Sequence, residues 1–223
     1  MSSTLLESLE IETGTNPGLA VIWLHGLGAD GHDFAPLVPE LGLQDVPPVR
    51  FIFPHAPVQP VTINNGMAMR AWYDIFIPGA VSREDEQGLR ASQAAVQALI
   101  QRENQRGIPS EKIVLAGFSQ GCAMALQTGL RLDSKLAGII GLSGYLPLAS
   151  LFDAERHAAN QDTPIFLAHG TSDPVVVFPR AQATRQKLVE LGYEVEWHTY
   201  PMQHSVCLEE IADIAAFLRK VLI

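Results

Sequence analysis

Lys112-Ile113-Val114-Leu115-Ala116-Gly117-Phe118-Ser119-Gln120-Gly121-Cys122-Ala123-Met124-Ala125-Leu126 is the stretch on which the reading of the chain turns. Ile113 to Ala116 is an apolar run with two β-branched residues, suited to a strand covered on both faces. From Gln120 onward the pattern changes to the helix formers Ala123, Met124 and Leu126, with no proline before Arg131. Between strand and helix, Gly117 and Gly121 frame Ser119 as G-x-S-x-G. So sharp a turn crowds the backbone around the serine, and glycine at both flanks removes the Cβ atoms that would clash. Such a turn lifts the serine Oγ to the carboxyl edge of a sheet. The helix that starts at Gln120 brings unpaired backbone N–H groups and a positive dipole end to the same place. The motif is short and recurs by chance, so its weight rests on the matching strand before it and helix after it.

Outward from this stretch, the composition narrows the choices. The chain has 223 residues, the size of one medium domain with a substantial core, and residues 1–223 are expected to form a single domain. Apolar residues at 47% against 17% charged describe a globular protein. No apolar run approaches the length of a membrane span, and the first residues lack the basic and apolar regions of a signal peptide, so a cytoplasmic location is expected. A net charge of −9 argues against nucleic acid and anionic lipid as partners. The two cysteines, Cys122 and Cys207, make neither a disulfide framework nor a zinc spacing and read as buried free thiols.

Strand and helix patterns alternate along the chain. Residues 5–12 read as an edge strand and Leu19 to Leu24 as a buried one, followed by the glycine loop His25-Gly26-Leu27-Gly28-Ala29-Asp30-Gly31. Gly26, Gly28 and Gly31 spell G-x-G-x-x-G, the dinucleotide fingerprint. The next strand, Val49 to Phe53, ends in Pro54-His55 without the acidic residue that fingerprint requires. The better reading is a loop that points backbone N–H groups at a developing negative charge. His25, Asp30, His32 and Asp33 have no matching second cluster and are taken as turn residues rather than a metal site. Residues 54–80 read as a proline-rich loop whose aromatic and methionine side chains either line a pocket or plug the core; Trp72 is the pocket candidate there. A helix is expected from Ser82 to Gln105, with Ser82 and Asp85 as a loose capping box. Further strands are read at 136–142, 164–168 and 195–200. Helices are read at 148–160 and 178–191 and at the C-terminus. This order gives a mostly parallel sheet with helices on both faces.

Functional groups of such a sheet gather where its strands end. Ser119, Asp173 and His204 each follow a strand, in the chain order of the α/β-hydrolase triad. A serine hydroxyl needs a base to take its proton as it attacks, imidazole titrates near the working pH, and a buried carboxylate fixes the imidazole tautomer. The rivals are worse placed. His198 lies inside a strand, His169 precedes the acid loop and would buttress it, Asp153 and Asp162 lie at the wrong end, and Ser143 lacks the glycine frame.

The chain resembles the small serine carboxylesterases and acyl-protein thioesterases of the α/β-hydrolase fold, in their bacterial carboxylesterase branch. The resemblance is carried by Leu24-His25-Gly26-Leu27-Gly28, by Trp72-Tyr73-Asp74, and by Gly117-Phe118-Ser119-Gln120-Gly121. It continues in His169-Gly170, in Asp173-Pro174-Val175 and in Gln203-His204-Ser205. It implies a triad of Ser119, Asp173 and His204 and an oxyanion hole formed by the backbone N–H groups of Leu27 and Gln120. No metal or cofactor is implied, no large lid is expected, and a homodimer is allowed. Val176 and Trp72 are expected at the acyl site. The expected activity is hydrolysis of short- to medium-chain carboxylic esters through an acyl-enzyme, with acyl-protein thioesterase or lysophospholipase as the alternative. The non-enzyme alternative is a small-molecule binding protein on the same fold.

Overall fold

The computed structural model describes residues 5–76 and 84–223. Its frame is a seven-stranded sheet of β1 (Ser8–Glu12), β2 (Leu19–Leu24), β3 (Val49–Pro54), β6 (Ile113–Phe118), β7 (Gly138–Leu142), β8 (Ile165–Gly170) and β9 (Val195–Tyr200). The spatial order is β1-β3-β2-β6-β7-β8-β9; β1 pairs antiparallel with β3, and every other pairing is parallel. The central strand β6 carries Ser119 at its carboxyl end, beside β2 on one side and β7 on the other.

Side-chain alternation along the strands divides the core in two. Ala20, Ile22 and Leu24 of β2 face one cluster with α1 (Glu86–Gln105) and α2 (Gln120–Gly129), through Leu89, Val96, Leu99, Met124 and Leu126. Leu19, Val21 and Trp23 face the other cluster, closed by Ile211, Ile214, Phe217 and Leu218 of α5 (Leu208–Leu222). Burial on both faces explains why β2 and β6 read as apolar runs rather than alternating patterns. Two further helices, α3 (Phe152–Glu155) and α4 (Phe178–Glu190), complete the fold, and no helical cap covers Ser119 among the described residues.

The structure departs from the sequence reading at four places. Residues 54–80 are not one loop: β4 (Val58–Val61) and β5 (Met67–Arg70) pair antiparallel as a hairpin. Asn65 and Gly66 at its turn both have positive φ, 55° and 73°, which asparagine and glycine tolerate best. Helix α1 starts at Glu86 and not Ser82; its cap is Asp85, whose Oδ1 accepts the Gly88 N–H at 3.0 Å, while Ser82 lies outside the described residues. The helix expected over 148–160 shrinks to one turn of α-helix followed by a 3₁₀ turn at Ala158–Asn160. Finally, Cys122 is buried as expected, but Cys207 is only half-buried, at the N-cap position of α5.

Candidate active site

Ser119 occupies the turn between β6 and α2 with φ 57° and ψ −116°, a backbone region that costs about 1–3 kcal/mol for a residue with a side chain. The surroundings hold it there. A Cβ on Gly117 would overlap the Gly121 carbonyl, and a Cβ on Gly121 would overlap the Leu24 carbonyl. The two glycines thus let α2 start directly against the ends of β6 and β2. The Ser119 N–H donates to the Leu142 carbonyl at 2.8 Å, which ties the turn to β7.

The loops after β8 and β9 bring the other two residues to this turn. His204 Nε2 lies 2.9 Å from Ser119 Oγ, and His204 Nδ1 lies 2.7 Å from Asp173 Oδ2. Asp173 can only accept, so Nδ1 carries the hydrogen and Nε2 presents its lone pair to the serine O–H. The Asp173 side chain has no solvent exposure. Its Oδ1 accepts the Val175 and Val176 N–H groups at 2.8 and 2.9 Å, which offsets the cost of burying a carboxylate. The Phe118 ring packs against the His204 imidazole with centroids 4.8 Å apart. The sequence rivals lie elsewhere: His198 stacks on Phe166 and faces Glu196 and Asp213, and Ser143 is buried with its hydroxyl unpartnered.

The glycine loop after β2 lies beside the serine. A Cβ on Gly26 would stand 3.4 Å from the Ser119 Cβ. The N–H groups of Leu27 and Gln120 make no hydrogen bond within the described residues, so both are free to donate to a ligand. His25 anchors this loop. Its Nδ1–H donates to the Gly26 carbonyl at 2.7 Å and its Nε2 accepts the Ala56 N–H at 3.0 Å. Burial lowers the pKa of His25, although the Gly26 bond opposes the shift, so it stays a neutral anchor. Gly28 donates to the Arg70 carbonyl at 2.8 Å, which ties the loop to the hairpin as well.

Two connections were not visible in the sequence. The Gln120 side chain accepts the Trp72 N–H at 2.8 Å and donates to the Tyr73 carbonyl at 2.7 Å, so the residue next to the serine also clamps the segment after the hairpin. Trp72 itself is 1% exposed and its indole N–H donates to the His25 carbonyl at 2.9 Å; it is the core plug of the two readings, not an open pocket wall. Val176 is also buried, and its N–H and carbonyl serve Asp173 and His169. Its neighbours Val175 and Val177 are the exposed apolar groups of that loop. The hairpin could have been read from Asn64-Asn65-Gly66, a turn signal between two short runs.

Asp30, His32 and His55 bring ligand atoms within 4.8 Å of one another. These atoms already serve the turn. Asp30 Oδ1 accepts the His32 N–H at 2.8 Å and bonds His32 Nδ1 at 3.0 Å, and His55 Nδ1 accepts the Gly31 N–H at 3.0 Å.

Comparison with known proteins gives the family. The chain is 50% identical over 208 residues to acyl-protein thioesterase 1 of Neurospora crassa, covering 89% of this chain and 84% of that protein. The crystal structure of Arabidopsis thaliana SOBER1 superposes with a TM-score of 0.83 at 32% identity, covering 92% of this chain and 99% of that one. That of Zea mays acyl-protein thioesterase 2 gives 0.82 at 25% identity, covering 98% and 100%. The phospholipase/carboxylesterase family model matches residues 7–222, so the chain belongs to that family of α/β-fold serine hydrolases and is an ester or thioester hydrolase.

Proposed function

We propose that this chain, acting as one domain, hydrolyses acyl thioesters of the kind that link a fatty acyl group to a protein, through an acyl-enzyme on Ser119. The observation that carries the reading is the hydrogen-bonded series Ser119–His204–Asp173 at 2.9 and 2.7 Å. Ser119 Oγ attacks the thioester carbonyl while its proton passes to His204 Nε2, and Asp173 steadies the resulting imidazolium. The Leu27 and Gln120 N–H groups receive the oxyanion. The C–S bond breaks, and His204 returns the proton to the leaving thiolate. Water, deprotonated by His204, then attacks the acyl carbon; the bond from that carbon to Ser119 Oγ breaks, His204 returns the proton to Oγ, and the carboxylic acid leaves.

The sequence alone favoured short- to medium-chain oxygen esters. Relatives such as the 50%-identical Neurospora crassa protein bear the name acyl-protein thioesterase 1, which supports the thioester reading over it. The exposed Val175 and Val177, beside Asp173, supply apolar surface for the acyl group. Matched oxygen and thiol esters of one acyl chain, turned over by the wild type and by Ser119→Ala, test the proposal. A higher kcat/KM for the thioester, lost in the variant, is expected. Preference for the oxygen ester would return the reading to carboxylesterase, and full activity in the variant would remove Ser119 from the mechanism.

A further inference from the structure

A second imidazole faces the acid of the proposed triad. His169 sits near the end of β8, and its ring is buried, 1% exposed. Its Nε2 stands 2.7 Å from the Val176 carbonyl and 3.3 Å from Asp173 Oδ2, the oxygen that also receives His204 Nδ1–H. Both neighbours of Nε2 are acceptors, so Nε2 carries the ring hydrogen.

We propose that His169 is a positioning residue for the reaction: with its ring hydrogen on Nε2, it lies between the Val176 carbonyl and Asp173 and limits how strongly Asp173 draws on the His204 proton. The inference rests on the function proposed above. Burial lowers the His169 pKa, against the raising effects of the Val176 carbonyl and the Asp173 carboxylate, and His204 adds to the lowering. Away from Asp173 and the Val176 carbonyl, the neighbours bring no negative charge to the ring. Cys122 of α2 and Thr184 of α4 line one small cavity with it, and burial pushes the Cys122 thiol up to about 12, so that it brings no charge. Trp197 of β9 lines the same cavity, and the Phe178 ring of α4 lies 6.1 Å away. The charges His169 meets are those of Asp173 and His204.

The consequence is directional. The His169 N–H bonds the Val176 carbonyl and stands 3.3 Å from Asp173 Oδ2 as an electrostatic neighbour, and a carboxylate oxygen partly stabilised by a second N–H dipole offers less to the His204 N–H. Removing that dipole leaves a stronger partner for the protonated form of His204. In His169→Phe the acid limb of the kcat/KM profile, where the base takes up its proton, should therefore move to higher pH by about half a unit. In His169→Gln the side-chain amide N–H can reach the same acceptors and should bring the limb back. A role confined to packing would lower kcat/KM by the same factor at every pH and leave the limb in place.

The experiment is the pH profile of the wild type and both variants, together with ¹⁵N NMR of the His169 ring in the wild type. The expected spectrum is a neutral ring with hydrogen on Nε2 across the neutral range. A ring protonated on Nδ1, or charged near neutrality, overturns the proposal without any variant, and so covers the case in which His169→Phe fails to fold. An unmoved limb in a folded His169→Phe also overturns it. Labelling of the wild type by a fluorophosphonate separates the two failures. A labelled Ser119 with an unmoved limb defeats only the role of His169, whereas an unlabelled protein defeats the serine mechanism itself.

Discussion

Two neighbouring strands of this sheet end in the same way and lead to different surroundings. β6 runs into Ser119 with φ 57°, and β7 runs into Ser143 with φ 50°. Each serine is followed closely by a glycine without room for a Cβ, at Gly121 and Gly144. Backbone strain at a strand end is therefore common to both and does not distinguish a nucleophile. What differs is company and access. Ser119 is partly open and has His204 within 2.9 Å, whereas Ser143 Oγ is buried with no partner. β9 lies three places from β6 in the sheet, so the loop that carries His204 reaches back across the ends of β8 and β7 to meet Ser119.

The sharpest way to break this comparison is to remove each hydroxyl. Ser119→Ala should lower kcat/KM by roughly 10⁴ or more, while Ser143→Ala should stay within about threefold, since its hydroxyl bonds nothing. Comparable losses in both would mean that the two strand ends share the work. The second effect concerns the glycines. Gly121→Ala drives a Cβ into the Leu24 carbonyl, backbone that cannot step aside, and should cost about 3 kcal/mol or more in thermal unfolding. Gly144→Ala meets the Cβ and Sγ of Cys122 ahead of the Ser119 carbonyl, so adding Cys122→Gly, which removes both side-chain atoms, should recover part of its stability. No double variant of Gly121 with a neighbouring side chain should do so.

A third test extends the contrast to buried acids. Asp173 is buried with three N–H donors at hydrogen-bond distance, and Glu210 is buried with neither oxygen hydrogen-bonded. Burial pushes the Glu210 carboxyl up to about 8, against the nearby Cys207 N–H and with help from Asp213. Below its ordinary value of 4.5 both folded and unfolded chains hold the proton. As pH rises from there to about 8 the unfolded chain has lost it and the folded one retains it, so stability falls across that window. Glu210→Gln removes this penalty, and its advantage over the wild type should grow from pH 5 to about 8, reaching a few kcal/mol in denaturant unfolding. A constant difference across that range would refute the assignment. The smallest effect is expected at Ser143→Gly, which relaxes the positive φ and removes the orphan hydroxyl, and should raise stability by about 1 kcal/mol.

Much of the site was legible because its signals are local. A glycine on each side of Ser119, an apolar strand before it and a helix after it declare a strained turn, and each of the three site residues follows a recognisable strand. What escaped depends on contacts between distant segments. Trp72 reads equally as pocket wall or core plug until His25 and Gln120, 47 and 48 residues away, are seen to bind it. Asp85 caps α1 while also holding the Asp74 N–H, which no spacing announces.

The sequence by itself determined the alternation of strands and helices, the turn at Ser119 and the order of the three polar residues, because strand and helix periods and glycine sterics act within a few positions. Tertiary structure decided which strand lies beside which, that His204 reaches across two strand ends, and which of two similar serines meets a base. Those outcomes follow from the sheet order and the packing of helices on its faces, which set distances between groups that sequence separation does not constrain.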